Sequence, residues 1–276
     1  MKSGGQIKSV FQTSLFYLGV SIIVVAFVFP FAWMVFSSLK PGVELMEVPP
    51  KWLSPPTILN YKNVFTETAF PLRTLNSFII AIFAVGIGML LGLPAAYAIA
   101  RYQHKLFAVT ILTTRMIPGI SFLVPWFIIY RHLNLLDTYA GMVASHLVLT
   151  LPLIIWIMIG FFEGLSPELE EAARIDGCSK WQAFIKIALP LCRPGIATAA
   201  ILSFIFSWNH FLFALILAGP NTNTLPVTVF QFITYEEIDF GGMYAAATLI
   251  TTPIIILVLL IQNQFVEGLT MGGLKE

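Results

Sequence analysis

The sequence predicts an all-α membrane protein with six transmembrane helices and a structured cytoplasmic loop between the fourth and fifth. Three observations predict it. The 276-residue chain is 58% hydrophobic and only 11% charged, with a mean hydropathy of +0.86, whereas a soluble domain carries about 25% charged residues. In water such a chain would expose large apolar patches. Its apolar residues gather into six runs, each long enough to cross a bilayer. One interior stretch, residues 163–194, breaks this pattern and carries helix signals of its own.

The six runs are residues 14–36, 75–100, 106–130, 140–162, 195–218 and 241–265. A helix needs about 20 apolar residues to span the hydrocarbon, and backbone groups in lipid must bond within their own segment, so these are helices. The first run is too long for the apolar core of a signal peptide and has no small-residue cleavage site after it, so it reads as an uncleaved span. Pro94, Pro118, Pro125, Pro152 and Pro253 fall inside the runs. Each predicts a kink, either a static packing feature or a bend used along a moving pathway.

Orientation follows from the flanking cations. With the N-terminus inside, Lys2, Lys8, Arg101, Lys105, Arg174, Lys180, Lys186, Arg193 and Lys275 are cytoplasmic, against Lys40, Lys51, Lys62, Arg73 and Arg131 outside. The last outer loop, residues 219–240, carries Glu236, Glu237 and Asp239 and no Lys or Arg. An even number of spans then places both termini in the cytoplasm. The chain divides into residues 1–74 (N-terminus, first span and a proline-braced external segment), 75–265 (a five-helix transmembrane domain) and 266–276 (a cytoplasmic tail).

The net charge of +1 offers no basic stripe for nucleic acid. Cys178 and Cys192 fit no metal motif, and on the cytoplasmic side they stay reduced. No G-x-x-x-x-G-K-[ST] stretch occurs, so the chain lacks the backbone cradle and lysine that hold nucleotide phosphates.

The 163–194 loop reads EGLSPELEEAARIDGCSKWQAFIKIALPLCRP. Ser166 can cap a helix with Pro167 in its first position, and Glu168, Glu170 and Glu171 suit the positive end of its dipole. Gly177 ends that helix. Ser179 with Gln182 forms a capping box for a second one, which Pro190 is expected to end. The product is a helix–glycine–helix corner with one greasy and one acidic face. Such a corner can lie on the bilayer or dock into a groove. Interfacial helices carry basic polar faces, so docking fits better.

Glu171-Ala172-Ala173, Gly177 four residues on, then Ile187 and Leu189-Pro190, with both gaps of the right length, resembles the EAA loop of ABC importer permeases. The resemblance implies that Glu171, Ala172, Ala173 and Gly177 contact an ATPase subunit, with Asp176, Ile187, Leu189 and Pro190 in the same coupling loop. Small alanines allow close backbone approach, glycine permits the bend, and Glu171 offers a partner to a cation. SLKPGVEL, WLSPPTILNYKNVF, LRTLNSFIIA, TTRMIPG, FSWNHFLFAL and FVEGLTMGGLKE extend the resemblance, over nearly the whole chain, to the carbohydrate-uptake branch of the MalG-like permeases. That branch implies a MalF-like second permease subunit, two MalK-like ATPase subunits that bind ATP and Mg, an extracytoplasmic solute-binding protein and a small sugar-like substrate. No cofactor or metal is expected on this chain, which sits in the bacterial inner membrane. The tail from Gly268 resembles a segment that reaches towards the ATPase.

Four residues are candidates for the substrate pathway or its gate. Arg115 stands about nine residues into the third span, on the order of 14 Å deep, where a cation faces the bundle interior or water, or snorkels back. Trp208, Asn209 and His210 fall midway along the fifth span. An aromatic face beside an amide suits a sugar, and the bland alternative is a core tryptophan with an interhelical bond from Asn209. His146 reads as a packing histidine. An ion-coupled secondary transporter would need paired charges at mid-membrane, yet all 14 acidic residues lie in loops or tails. Glu170-Glu171-Ala-Ala-Arg174 superficially resembles the EExxxR motif of membrane proteases, but it is one residue short and outside the bilayer.

Overall fold

The computed structural model describes residues 3–49, 51, 52, 54–234 and 238–273. Lys2, Glu236, Glu237, Lys275 and the last three residues of the tail lie outside them. The described residues are helical almost throughout, and the chain forms two compact units.

The first unit comprises residues 1–68 and 229–249. In helix α1 (Ser3–Ser38) the stretch Gln12–Ser38 presents apolar side chains on every side, as a lipid-facing span must. The segment that follows contains the short helices α2 (Gly42–Leu45) and α3 (Leu59–Glu67). Buried Asn60 donates to the carbonyls of Ser38 and Lys40 at 2.8 Å each, and Lys40 Nζ donates to Lys51 O at 2.6 Å. These bonds give the turn the internal partners that an irregular backbone needs.

The second unit, residues 69–228 and 250–276, is organised around α4 (Phe70–Arg101) and α7 (Tyr139–Gly164). Ala81, Ala84, Gly88, Gly92, Ala96 and Ala100 recur every three or four residues on α4 and are all buried. A Cβ on Gly88 or Gly92 would meet Ile154 of α7 at 2.8 or 2.9 Å. This small-residue seam lets the backbones close up, which is how helices gain packing where lipid removes the hydrophobic drive.

Between them lies the expected third span, and here the structure departs from a single rod. α5 (Lys105–Met116), a 3-10 turn (Gly119–Phe122) and α6 (Leu123–His132) replace it, with a 90° bend between the two arms. Pro118 follows the extended Ile117, as the steric demand on a pre-proline residue requires. Pro125 sits in the first turn of α6, where a missing N–H costs nothing. Pro94, Pro152 and Pro253 instead lie within continuous helices.

After α7 come α8 (Pro167–Ile175), α9 (Lys180–Ala183), a π-helical turn (Phe184–Ala188) and α10 (Leu189–Leu191). Contrary to expectation, Pro190 does not end the second corner helix but lies within α10. The chain turns at Cys192, by 77°, into α11 (Arg193–Trp208). The wide turn puts Leu189 N–H on Phe184 O, five residues back, and so re-registers the ladder just before the residue that lacks a donor. The expected fifth span is also broken: α11 ends at Trp208 and α12 (Leu212–Leu217) continues it. α13 (Leu225–Thr228) and α14 (Phe240–Gly273) complete the chain, and α14 runs on past residue 265 into the expected tail.

Among the described residues four helices are thus long and apolar enough to cross a membrane on their own, and up to six spans result if each bent pair counts as one.

Candidate coupling site

The corner forms by local rules. Ser166 Oγ accepts from Glu168 N–H at 3.3 Å, and Pro167 occupies the first turn of α8. At the other end Cys178 N–H bonds Ala173 O at 2.9 Å and Gly177 N–H bonds Arg174 O at 3.1 Å. This pair of bonds is a Schellman cap, which needs a left-handed residue at its hinge. Gly177 supplies it at φ +92°, and a Cβ there would meet nothing within 4 Å. Its requirement is backbone conformation, not space. The Ser179–Gln182 capping box is present with both bonds, at 2.8 and 3.2 Å.

One face of the corner is buried and one is free. Glu170, Ala173, Ala183, Phe184 and Ala188 are buried, and the last two join a core cluster with Ala96, Ala100, Met158 and Phe162. Glu171, Ala172, Asp176 and Gly177 are exposed, as are Arg174, Ser179 and Lys180. Among them stand apolar side chains with no cover: Ile175 is 87% exposed and Trp181 59%. Ile187, Leu189 and Pro190 are half-buried.

The inner face is pinned by an ion pair that sequence reasoning missed. Arg101, at the end of α4, donates to Glu170 Oε1 through Nε at 2.8 Å and Nη2 at 2.5 Å. Its remaining Nη1 donates to Phe162 O in the last turn of α7 at 2.8 Å. Tyr97 Oη donates to Glu170 Oε2 at 2.5 Å, and its ring lies against Phe162 and Phe184. The side chains of the pair are only 14% and 10% exposed. The one available signal was an acid on the 163–194 loop with an arginine at the end of a neighbouring span.

The expected pathway residues are not gathered into one site. Arg115 is exposed in the last turn of α5, where the helix dipole favours a cation, and its guanidinium lies 5.9 Å from the Phe206 ring centre. It is not nine residues deep in a continuous span, because that span bends immediately after it. Trp208 is buried, and its Nε1 donates to Ile250 O at 3.2 Å. It is core, and the idea that its ring faces a solute is corrected accordingly. Asn209 is exposed and caps α11, with Nδ2 on Ile205 O at 3.1 Å, rather than bonding across helices. His210 packs on Phe213 and stands 5.4 Å from the ring of buried His146, whose Nδ1 bonds Ser207 Oγ at 2.7 Å.

On the opposite end of this unit Asp137, just before α7, holds the 219–222 turn. It accepts from the N–H groups of Gly219, Asn221 and Thr222 and from Thr222 Oγ1 and Asn221 Nδ2, at 2.8–3.3 Å. Burial raises its carboxyl pKa, but the bonds from Thr222, Gly219 and Asn221 outweigh that and hold it below the usual value.

Known proteins share this architecture and sequence. A family described as "Binding-protein-dependent transport system inner membrane component" matches residues 84–270. The trehalose transport system permease protein SugB of Mycobacterium tuberculosis is 37% identical, over 89% of this chain and 92% of its own. The sulfoquinovosyl glycerol transport system permease protein SmoH of Agrobacterium fabrum is 36% identical, over 94% and 93%. The fold matches a chain of a bacterial ABC transporter that imports the acidic polysaccharide alginate, with TM-score 0.75 at 22% identity, over 95% of this chain and 98% of that one. The family match covers most of the chain and includes the corner and both helices that grip it, so this protein belongs to the inner-membrane permease components of binding-protein-dependent ABC importers.

Proposed function

We propose that this permease subunit forms half of the translocation pathway for a sugar or sugar-like solute and receives its driving force through the α8–α9 corner. Both termini lie in the cytoplasm. A MalF-like permease subunit supplies the other half, two MalK-like ATPase subunits bind ATP and Mg and do the hydrolysis, and an extracytoplasmic binding protein delivers the solute. The names of SugB and SmoH, both permeases for sugar-containing solutes, support the substrate class.

One observation carries the coupling role. The corner buries its inner face in the unit and leaves Glu171, Ala172, Ile175, Asp176, Gly177 and Trp181 bare. An exposed isoleucine and tryptophan beside an unpaired carboxylate, on a rigid prong, is the composition of a docking surface with a central apolar anchor and a charged partner.

Glu171→Lys reverses an exposed charge without touching the core, and Gly177→Pro forbids φ +92°. Each variant is expected to insert normally and to lose hydrolysis stimulated by the cognate binding protein, measured on the reconstituted assembly. Wild-type stimulation in both variants refutes the coupling role. A calorimetric screen of the binding protein against monosaccharides, oligosaccharides, polyols, glycerol-phosphate diesters and sulfo-sugars defines the solute.

A further inference from the structure

α4 is 32 residues long, so at about 1.5 Å per residue it spans roughly 48 Å. Both of its ends hold something. At the cytoplasmic end Arg101 and Tyr97 grip Glu170 of the corner, and Arg101 also closes the last turn of α7 through Phe162 O. At the far end Asn76 Nδ2 donates to Asn221 O and Asn223 O at 2.9 Å each, and Ser77 Oγ accepts from Leu225 N–H at 2.8 Å. α7 joins this second grip, because Tyr139 Oη donates to Asn76 Oδ1 at 2.6 Å and Asp137 holds Gly219 and Thr222. Asn76 and Ser77 are buried, so these bonds stand in place of water. Between the two grips, the Gly88–Gly92 seam against Ile154 leaves no room for α4 and α7 to slide past each other.

We propose that α4 and α7 act as one stiff rod that joins the coupling corner to the 219–228 loop at the other membrane face. A displacement of α8 by an ATPase subunit reaches that loop through Glu170–Arg101 at one end and Asn76 and Ser77 at the other. The covalent connections from the corner run only to α7 and α11, so α4 holds the corner only through non-covalent contacts, of which the Glu170–Arg101 pair and Tyr97 are the directional ones, beside apolar packing on Phe184 and Ala188. This inference rests on the coupling role argued above, and it names positioning residues that touch neither nucleotide nor solute.

The test is a double-mutant cycle in the complete reconstituted transporter, with Glu170→Gln and Asn76→Ala. The readout is the stimulation of ATP hydrolysis by the cognate binding protein used as purified, alongside the amount of ATPase subunit that co-purifies. Each single variant is expected to retain the ATPase subunit and to lose stimulation by at least about fivefold, the lower end for coupled sites. The two positions are roughly 38 Å apart along the helix, a separation at which independent effects add. On one rod they do not add, and the double variant is expected to be no worse than the worse single. Fold losses that multiply, or wild-type stimulation in either single, overturn the rod. Loss of ATPase binding in Glu170→Gln overturns it too, since Glu170 would then shape the docking face. Where a variant does not assemble, Tyr97→Phe and Ser77→Ala take their places with the same outcomes. The coupling role itself fails separately, when Glu171→Lys and Gly177→Pro both keep full stimulation.

Discussion

The two polar connections held by the α4–α7 pair are built from opposite chemistry. The corner's polar hold on α4 and α7 is one cluster of charge, Glu170 with Arg101 and Tyr97, beside the apolar packing of Phe184 and Ala188, and its outer face is left bare. The 219–228 loop is held by dispersed bonds: Asp137, Asn76 and Ser77 take up the polar groups of Gly219, Asn221, Thr222, Asn223 and Leu225. A segment pinned at one strong point can rock about it as a body, whereas one pinned along its length keeps its shape. The first arrangement suits a part that receives force from another molecule, and the second a part that must present a fixed surface.

The sharpest way to break this contrast is at its strongest point. Glu170→Ala leaves the Arg101 guanidinium largely buried and opposed only by Phe162 O and the Tyr97 ring. Removing one partner of a buried pair costs about 3 kcal/mol or more, so the expected result is a clear fall in the denaturation midpoint of the purified protein in mixed micelles. A variant that denatures like the wild type would show that the corner is not anchored by charge.

The loop responds less steeply and to pH. Asp137 has its carboxyl held below the ordinary value. A group with a depressed folded pKa contributes stability that is complete above the unfolded value, about 3.9, and is lost as pH falls through the folded one. Between pH 7 and 5 the loop should be indifferent, and below about pH 4 hydrogen exchange at Gly219 and Thr222, taken relative to the intrinsic amide rate at each pH, should accelerate. Asp137→Asn replaces charge-assisted acceptors at a site partly open to water, at a cost of about 2 kcal/mol. It should bring the same acceleration at pH 6 and remove the acid response. An unchanged acid response in that variant would assign the titration to another group.

How far these regions were legible in the sequence follows from the range of the forces that make them. The corner was readable almost residue by residue, because Ser166, Pro167, Gly177, Ser179 and Gln182 act on backbone groups within four positions. Its anchor was not, because Arg101 and Glu170 are separated by 69 residues and only tertiary packing brings them together. Hydropathy found the apolar runs but carries no direction, so it missed the bend at Pro118 and the break after Trp208. Proline alone did not decide the matter: Pro94, Pro152 and Pro253 are inside unbroken helices, where neighbouring backbone and side chains absorb the missing donor. For a related reason Trp208 and Asn209 do not present one joint face. Adjacent residues at a helix end point in different directions, one into the core and one to the exposed cap.

The smallest expected effect isolates the hinge of the corner from its anchor. Gly177→Ala introduces a methyl that meets no atom within 4 Å, so packing predicts no change. The backbone at φ +92° predicts otherwise, since an L-residue held in the left-handed region loses about 1 kcal/mol relative to glycine. The penalty falls on the Schellman cap alone, because Glu170 and Arg101 are untouched. Trypsin cleavage after Arg174 and Lys180, both exposed beside the hinge, should therefore quicken by about fivefold while the denaturation midpoint barely moves. Equal cleavage rates in the two proteins would mean that the bend is imposed by the α4–α7 anchor and not by the glycine.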